Sequence, residues 1–145
     1  MKNLPKPKAW QWIALILITG FVADWLAQRP DERSRELNQV IEAKGSAQLK
    51  AYPYSFRVIR VEGNTAVMST PRNFDVPAFR FIGVIHPEIN VRDANNPAFI
   101  AAQTTLGLMQ SEASRLAGSQ PGIKYVQWEL DKPWLAAHGI DVPAK

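Results

Sequence analysis

Ala78-Phe-Arg-Phe-Ile-Gly-Val-Ile85 stands between Pro77 and Pro87, and the number of strands in the fold turns on how it is read. Its aromatic and β-branched content predicts a strand, stopped by Pro87 after His86. Upstream, Ser55-Phe-Arg-Val-Ile-Arg-Val-Glu62 predicts another strand. Gly63–Asn64 supplies a tight turn, and Thr65–Ser69 returns as the partner of a hairpin. The stretch from Pro71 to Pro77 reads as a loop.

Downstream lies the strongest helix signal in the chain. Asn96 can cap, Pro97 fits the first turn, and Gly118 with Pro121 closes the far end. Phe99, Ala102, Leu106, Met109, Ala113 and Leu116 alternate at spacings of three and four, which puts them on one face, expected to cover a sheet. Pro121–Gly122 then turns the chain into Ile123–Leu130, an expected fourth strand with Val126, Trp128 and Leu130 on one side. A last short helix near Pro133–His138 places Trp134 and Leu135 for packing and ends at Gly139. The expected fold is α+β: a hairpin plus a strand–helix–strand unit forming a four-stranded sheet, with helices mainly on one face. The passage Ser119-Gln-Pro-Gly-Ile-Lys-Tyr-Val126 resembles the helix-to-strand junction of small sandwich modules such as BON domains. That resemblance covers roughly thirty residues and implies association with membrane or envelope assemblies.

The N-terminal part reads differently. Residues 9–27, Ala-Trp-Gln-Trp-Ile-Ala-Leu-Ile-Leu-Ile-Thr-Gly-Phe-Val-Ala-Asp-Trp-Leu-Ala, would span about 28 Å as a helix, close to one hydrocarbon core of ~30 Å. Trp10 and Trp12 stand at one end and Trp25 at the other, as in aromatic belts, with Lys6 and Lys8 in front. The expectation is a transmembrane signal-anchor. A cleavable signal peptide would want small residues at −3 and −1. Cutting after Ala23 or Ala27 puts Phe21 or Trp25 at −3. A buried core helix is the other rival, opposed by the flanking tryptophans and lysines. Asp24 then marks the outer boundary. The basic flank precedes the helix, so the N-terminus is expected in the cytoplasm and the rest outside it. The resulting plan is a basic cytoplasmic tail at 1–8, a transmembrane helix at 9–27, a helical stalk at 28–50 and a periplasmic α+β domain at 51–145. The expected location is the bacterial inner membrane, as a single-pass protein. The stalk opens on Arg29-Pro30-Asp31-Glu32 and runs to about Lys44 before Gly45. It lacks the sustained heptads of a dimerising coiled coil.

Composition narrows the chemistry. Of 145 residues 46% are apolar and 21% charged, which argues against wholesale disorder, and there is no cysteine. That excludes disulfides, thiolate metal sites and thiol nucleophiles. The net charge of +4 owes +3 to Lys2, Lys6 and Lys8, while residues 28–145 carry fourteen basic and twelve acidic side chains without a basic block. Arg57 and Arg60 fall on opposite faces of their strand. Nucleic acid is therefore not expected as a partner. Beside a bilayer, Arg57 and Lys50 could instead meet anionic head groups.

No G-x-S-x-G, Walker loop, G-x-G-x-x-G or H-E-x-x-H occurs, so no cofactor or metal is expected. His86-Pro-Glu88, with Asp93 beyond it, is the one constellation that invites an acid–base reading. His138 is placed to cap the last helical turn. Tyr52, Tyr54, Trp128 and Trp134 are candidates for an interaction surface, against the plainer reading that they pack the core. The expected function is non-enzymatic: a membrane-anchored accessory or scaffold protein whose outer domain docks on an unidentified membrane or periplasmic protein, with lipid held through residues 9–27. The alternatives are a small envelope hydrolase or ligand binder using His86 and Glu88, and a structural membrane subunit of a larger complex.

Overall fold

The computed structural model describes residues 8–28 and 31–143. The chain divides into two compact units, 1–30 and 31–145. Among the described residues the first holds one helix, α1 (Ala9–Gln28). Among the described residues no helix is long and apolar enough to cross a membrane. This overturns the transmembrane reading of 9–27, and with it the single-pass, signal-anchor, inner-membrane and periplasmic assignments. The physical reason lies in where the apolar run breaks. Trp12–Ile18 is the longest stretch of α1 without a polar residue or glycine, and it covers only ~10 Å against the ~30 Å of a hydrocarbon core. Gln11 precedes it, Thr19 and Gly20 follow, and Asp24 adds a carboxylate within the next turn and a half. Trp10 and Trp12 are exposed along α1; Lys6 and the side chain of Trp25 lie outside the described residues.

The second unit begins with α2 (Glu32–Lys44), whose first turn is capped by the Asp31 carboxylate accepting from the Ser34 amide at 2.6 Å. Leu37 and Ile41 enter the main core, so the helix expected as a stalk is part of the domain. The short α3 (Ala47–Ala51) follows, capped by Ser46. The hairpin forms as its sequence predicts, β1 (Val58–Glu62) against β2 (Thr65–Thr70). Gly63 has φ of 60° and no other residue of the turn is positive, the pattern of a type II′ turn with glycine first.

Ala78–Ile85 is a helix, α4, not the third strand of the sequence reading. Phe81 and Ile82 are adjacent yet both fully buried, and Ala78 and Ile85 pack on the same core. Positions 78, 81, 82 and 85 share one face of a helix, whereas in a strand 81 and 82 would point to opposite sides. Short apolar runs of this length are where helix and strand readings compete. The sheet accordingly has three strands, not four, in the order β1-β2-β3.

Helix α5 (Pro97–Gly118) starts at Asn96, whose side chain accepts from the Ala98 amide at 2.9 Å. Its stripe of Phe99, Leu106, Met109, Ala113 and Leu116 is buried, as the spacing predicts. Gly122, with φ of 82°, turns the chain into β3 (Tyr125–Leu130), which lies parallel to β2. The last helix, α6 (Lys132–Ala137), closes the unit. Val58, Ala66, Met68 and Val126 face the helices within the main core. On the other face Arg60 bonds Glu62 at 2.7 Å and reaches Glu129 on β3 at 3.0 Å. Arg60 is paired with Val67 in register, so its side chain crosses β2 and shelters Val67, which is 2% exposed.

Candidate functional site

The two edges of the sheet differ. At β1 the amide side chain of Asn38, from α2, imitates a neighbouring strand. Its Nδ2 donates to the Val58 carbonyl at 3.0 Å, and its Oδ1 accepts from the Val58 amide at 2.7 Å. A register shift between Val58 and Arg60 further spoils that edge as a template. At β3 nothing comparable occurs. Tyr125, Gln127, Trp128 and Glu129 are exposed, and among the described residues only β2 and its adjoining turns bond the β3 backbone. Alternate backbone groups of a strand point to opposite sides, so β3 leaves a row of donors and acceptors open to solvent.

Beside this edge, on the helix side, lies a shallow cavity of about 220 Å³. Trp128 forms one wall, Gly107, Ser111 and Ser114 of α5 the floor, and Arg72 another wall. Arg72 is held by its Nε donating to Gln110 Oε1 at 3.1 Å. Small residues along α5 leave the space, and nothing lies within 4 Å of a Cβ built on Gly107.

The other aromatic candidates go inward. Tyr54 is 1% exposed and sits edge-on to Phe56, Phe81 and Trp134, with ring centres 4.9, 5.9 and 5.4 Å away. Tyr52 and Trp134 are half-buried against the same core. Of the four residues Trp128 is the most exposed, at 37%, with its ring edge-on to Phe56. His138 ends α6 and stacks on Trp134 at 3.8 Å, its Nδ1 2.8 Å from the Trp134 carbonyl oxygen.

His86 and Glu88 do come together, Nδ1 to Oε1 at 3.2 Å, but as an exposed surface pair at the end of α4. Asp93 is not with them; its carboxylate accepts from the Asn95 amide within its own turn. Neither cavity described is lined by any of the three. Among the described residues no group of three or more His, Cys, Asp or Glu side chains could hold a metal ion.

A polar centre that the sequence reading missed is Asp131, 4% exposed at the junction of β3 and α6. It accepts from the Tyr54 hydroxyl at 2.8 Å, from Arg57 Nη1 at 3.1 Å and from the Trp134 amide at 3.2 Å. Its signal was available, since an Asp one residue before Lys132-Pro133 is a helix-capping pattern.

Burial pushes the Tyr54 phenol above its usual range; a Ser69 hydrogen bond opposes this, and the Asp131 carboxylate adds to it. Burial likewise pushes Tyr52 up to about 12, with Arg72 opposing. Both phenols hold their protons more firmly folded than unfolded. Their contribution to stability is thus complete below the unfolded value near pH ~10, and is lost as pH rises from there through the folded values. The tyrosine contribution to the unfolding free energy, followed by urea titration from pH 8 to 12, is expected to fall only beyond about pH 10, with a limiting slope of ~1.4 kcal/mol per pH unit per tyrosine. Tyr54→Phe should flatten that slope whatever it does to the midpoint at pH 8.

No family model matches the chain, and no curated protein or solved structure matches it. The Ser119–Val126 passage, similar in sequence to a BON junction, is in this chain the turn from α5 into β3.

Proposed function

We propose that residues 31–143 form a non-enzymatic docking module that takes an extended segment of a partner protein as a fourth strand beside β3. The observation that carries this reading is the contrast between the edges: Asn38 and a bulge block β1, while β3 is bare. Main-chain hydrogen bonds along an open edge supply affinity without regard to sequence, and a pocket for alternate side chains supplies selectivity. The cavity between Trp128 and the Gly107–Ser111–Ser114 strip is placed to be that pocket. Its floor suits a small side chain, and Arg72 at its wall favours one that accepts a hydrogen bond.

A photo-crosslinking residue at Gln127 tests the reading against the same residue at Ile59 on β1. Capture is expected from Gln127 alone, as one predominant adduct mapping to an extended segment of the partner. Filling the floor with Ser111→Lys, or removing the wall with Trp128→Ala, should lower its yield at least tenfold with the fold intact by circular dichroism. Equal capture from both edges, or yields indifferent to Ser111→Lys, would overturn it.

A further inference from the structure

A second cavity, of about 690 Å³, lies on the β1 side of the sheet, between α2 and the segment leading from α3 into β1. Its volume is that of a small-molecule site. The floor is apolar: Ile41, Leu49 and Phe56 are at most 8% exposed and belong to the main core. The rim is cationic. Arg35 from α2, Lys50 from α3 and Arg57 ahead of β1 surround it, with Glu42 as the one acid in its lining.

Arg57 is the best fixed of the three. Its Nη1 donates to Asp131 at 3.1 Å and approaches Ser69 and the Ser55 carbonyl at 3.5 Å, which anchors one end of the guanidinium. Asp131 offsets part of that charge, yet only Nη1 is engaged, and the side chain stays 48% exposed. Among the described residues Arg35 and Lys50 form no ion pair within 4 Å. A cationic rim above an apolar floor favours a ligand that neutralises the one while its apolar part lies against the other.

We infer that this groove binds an amphipathic anion, an acyl chain or similar apolar body carrying a carboxylate or phosphate head. The apolar part lies on Ile41, Leu49 and Phe56, and the head meets Arg35, Lys50 and the free edge of the Arg57 guanidinium. A planar guanidinium receives either head group through paired N–H donors, so both share one chemistry here. The site is independent of the β3 edge, from which β1 and β2 separate it.

Octanoate, octyl phosphate and octanol, titrated into the full chain with amide chemical shifts recorded, distinguish charge from grease. Either or both anions are expected to shift the amides of Asn38, Ile41, Leu49 and Phe56, and to bind at least tenfold more tightly than octanol. Whichever anion binds more tightly identifies the head group. Arg35→Gln with Lys50→Gln, both at exposed positions, should weaken the anions about tenfold and leave thermal unfolding unchanged. Arg57→Lys, which keeps the charge but not the fork, should weaken them less than that pair. Octanol binding as tightly as the anions, shifts confined to residues 9–28, or a double variant with unchanged Kd would each overturn the inference.

Discussion

Replacing Phe81 with alanine is expected to cost the domain about 4 kcal/mol, the middle of the range for emptying a buried aromatic site. Phe81 is completely buried on α4. Its ring meets Trp134 at 5.3 Å, Tyr54 at 5.9 Å and Tyr52 at 6.5 Å, so one truncation strips a shared partner from three aromatic rings. Aromatic neighbours held at such spacings contribute beyond the area they bury. Because those rings come from α6 and from the segment between α3 and β1, the site has little freedom to collapse around the gap. The informative companion is Phe79→Ala, two residues away and 44% exposed. In a helix, positions 79 and 81 are about 200° apart and should differ greatly in cost. In a strand they would share a face and suffer alike. Urea unfolding of the two variants therefore measures the stability of the core and the helical state of Ala78–Ile85 together. Phe79→Ala is expected to cost under about 1 kcal/mol.

That stretch also marks how far the fold could be read in advance. The hairpin and α5 were legible because their signals are local: Gly63–Asn64 between β-branched runs, and Asn96-Pro97 opening a six-member stripe of buried spacing. The residues of α4 fit both periods, and only the packing of Phe81 and Ile82 on one core separates them. The error propagated, since a strand wrongly added at 78–85 made the sheet four-stranded and gave β3 no special standing. The open edge of β3, and the cavity under Trp128, became visible only with three strands in hand. Residues 9–27 misled for another reason. Tryptophans at both ends and lysines in front imitate an anchor, while the breaks at Thr19-Gly20 and Asp24 limit the apolar run itself. The basic groove was out of reach because Arg35, Lys50 and Arg57 come from three elements whose approach is set by tertiary packing. The aromatic residues were half-legible: their clustering near strand and helix ends pointed to packing or display, and burial puts Tyr54 in the core while Trp128, edge-on to Phe56, stays 37% exposed.

Asp131→Ala is expected to destabilise the domain by about 3 kcal/mol, through two losses that can be told apart. The first is the cap of α6, where the carboxylate accepts from the Trp134 amide; losing an Asp cap costs about 1 kcal/mol. The second is the acceptor for the Tyr54 hydroxyl, buried among aromatic rings with little access to water; stranding such a donor costs about 1–3 kcal/mol. Arg57 adds less, because its half-exposed guanidinium regains water when the carboxylate goes. Asp131→Asn keeps one oxygen for the Trp134 amide but turns an NH2 donor toward the Tyr54 hydroxyl and Arg57, so it should recover the capping part alone, less than half of the loss. Arg57→Ala takes the one cation from the buried carboxylate but leaves it the Tyr54 and Trp134 donors, and should cost about 1–2 kcal/mol, less than Asp131→Ala. Urea unfolding of the three variants at pH 7 separates the contributions. If Arg57→Ala proved as damaging as Asp131→Ala, the ion pair would be the principal bond at this junction. The expected order instead makes Asp131 a fastener between secondary elements. It joins the start of α6 to the aromatic core through Tyr54, and its charge is tolerated in a buried place because three donors converge on it.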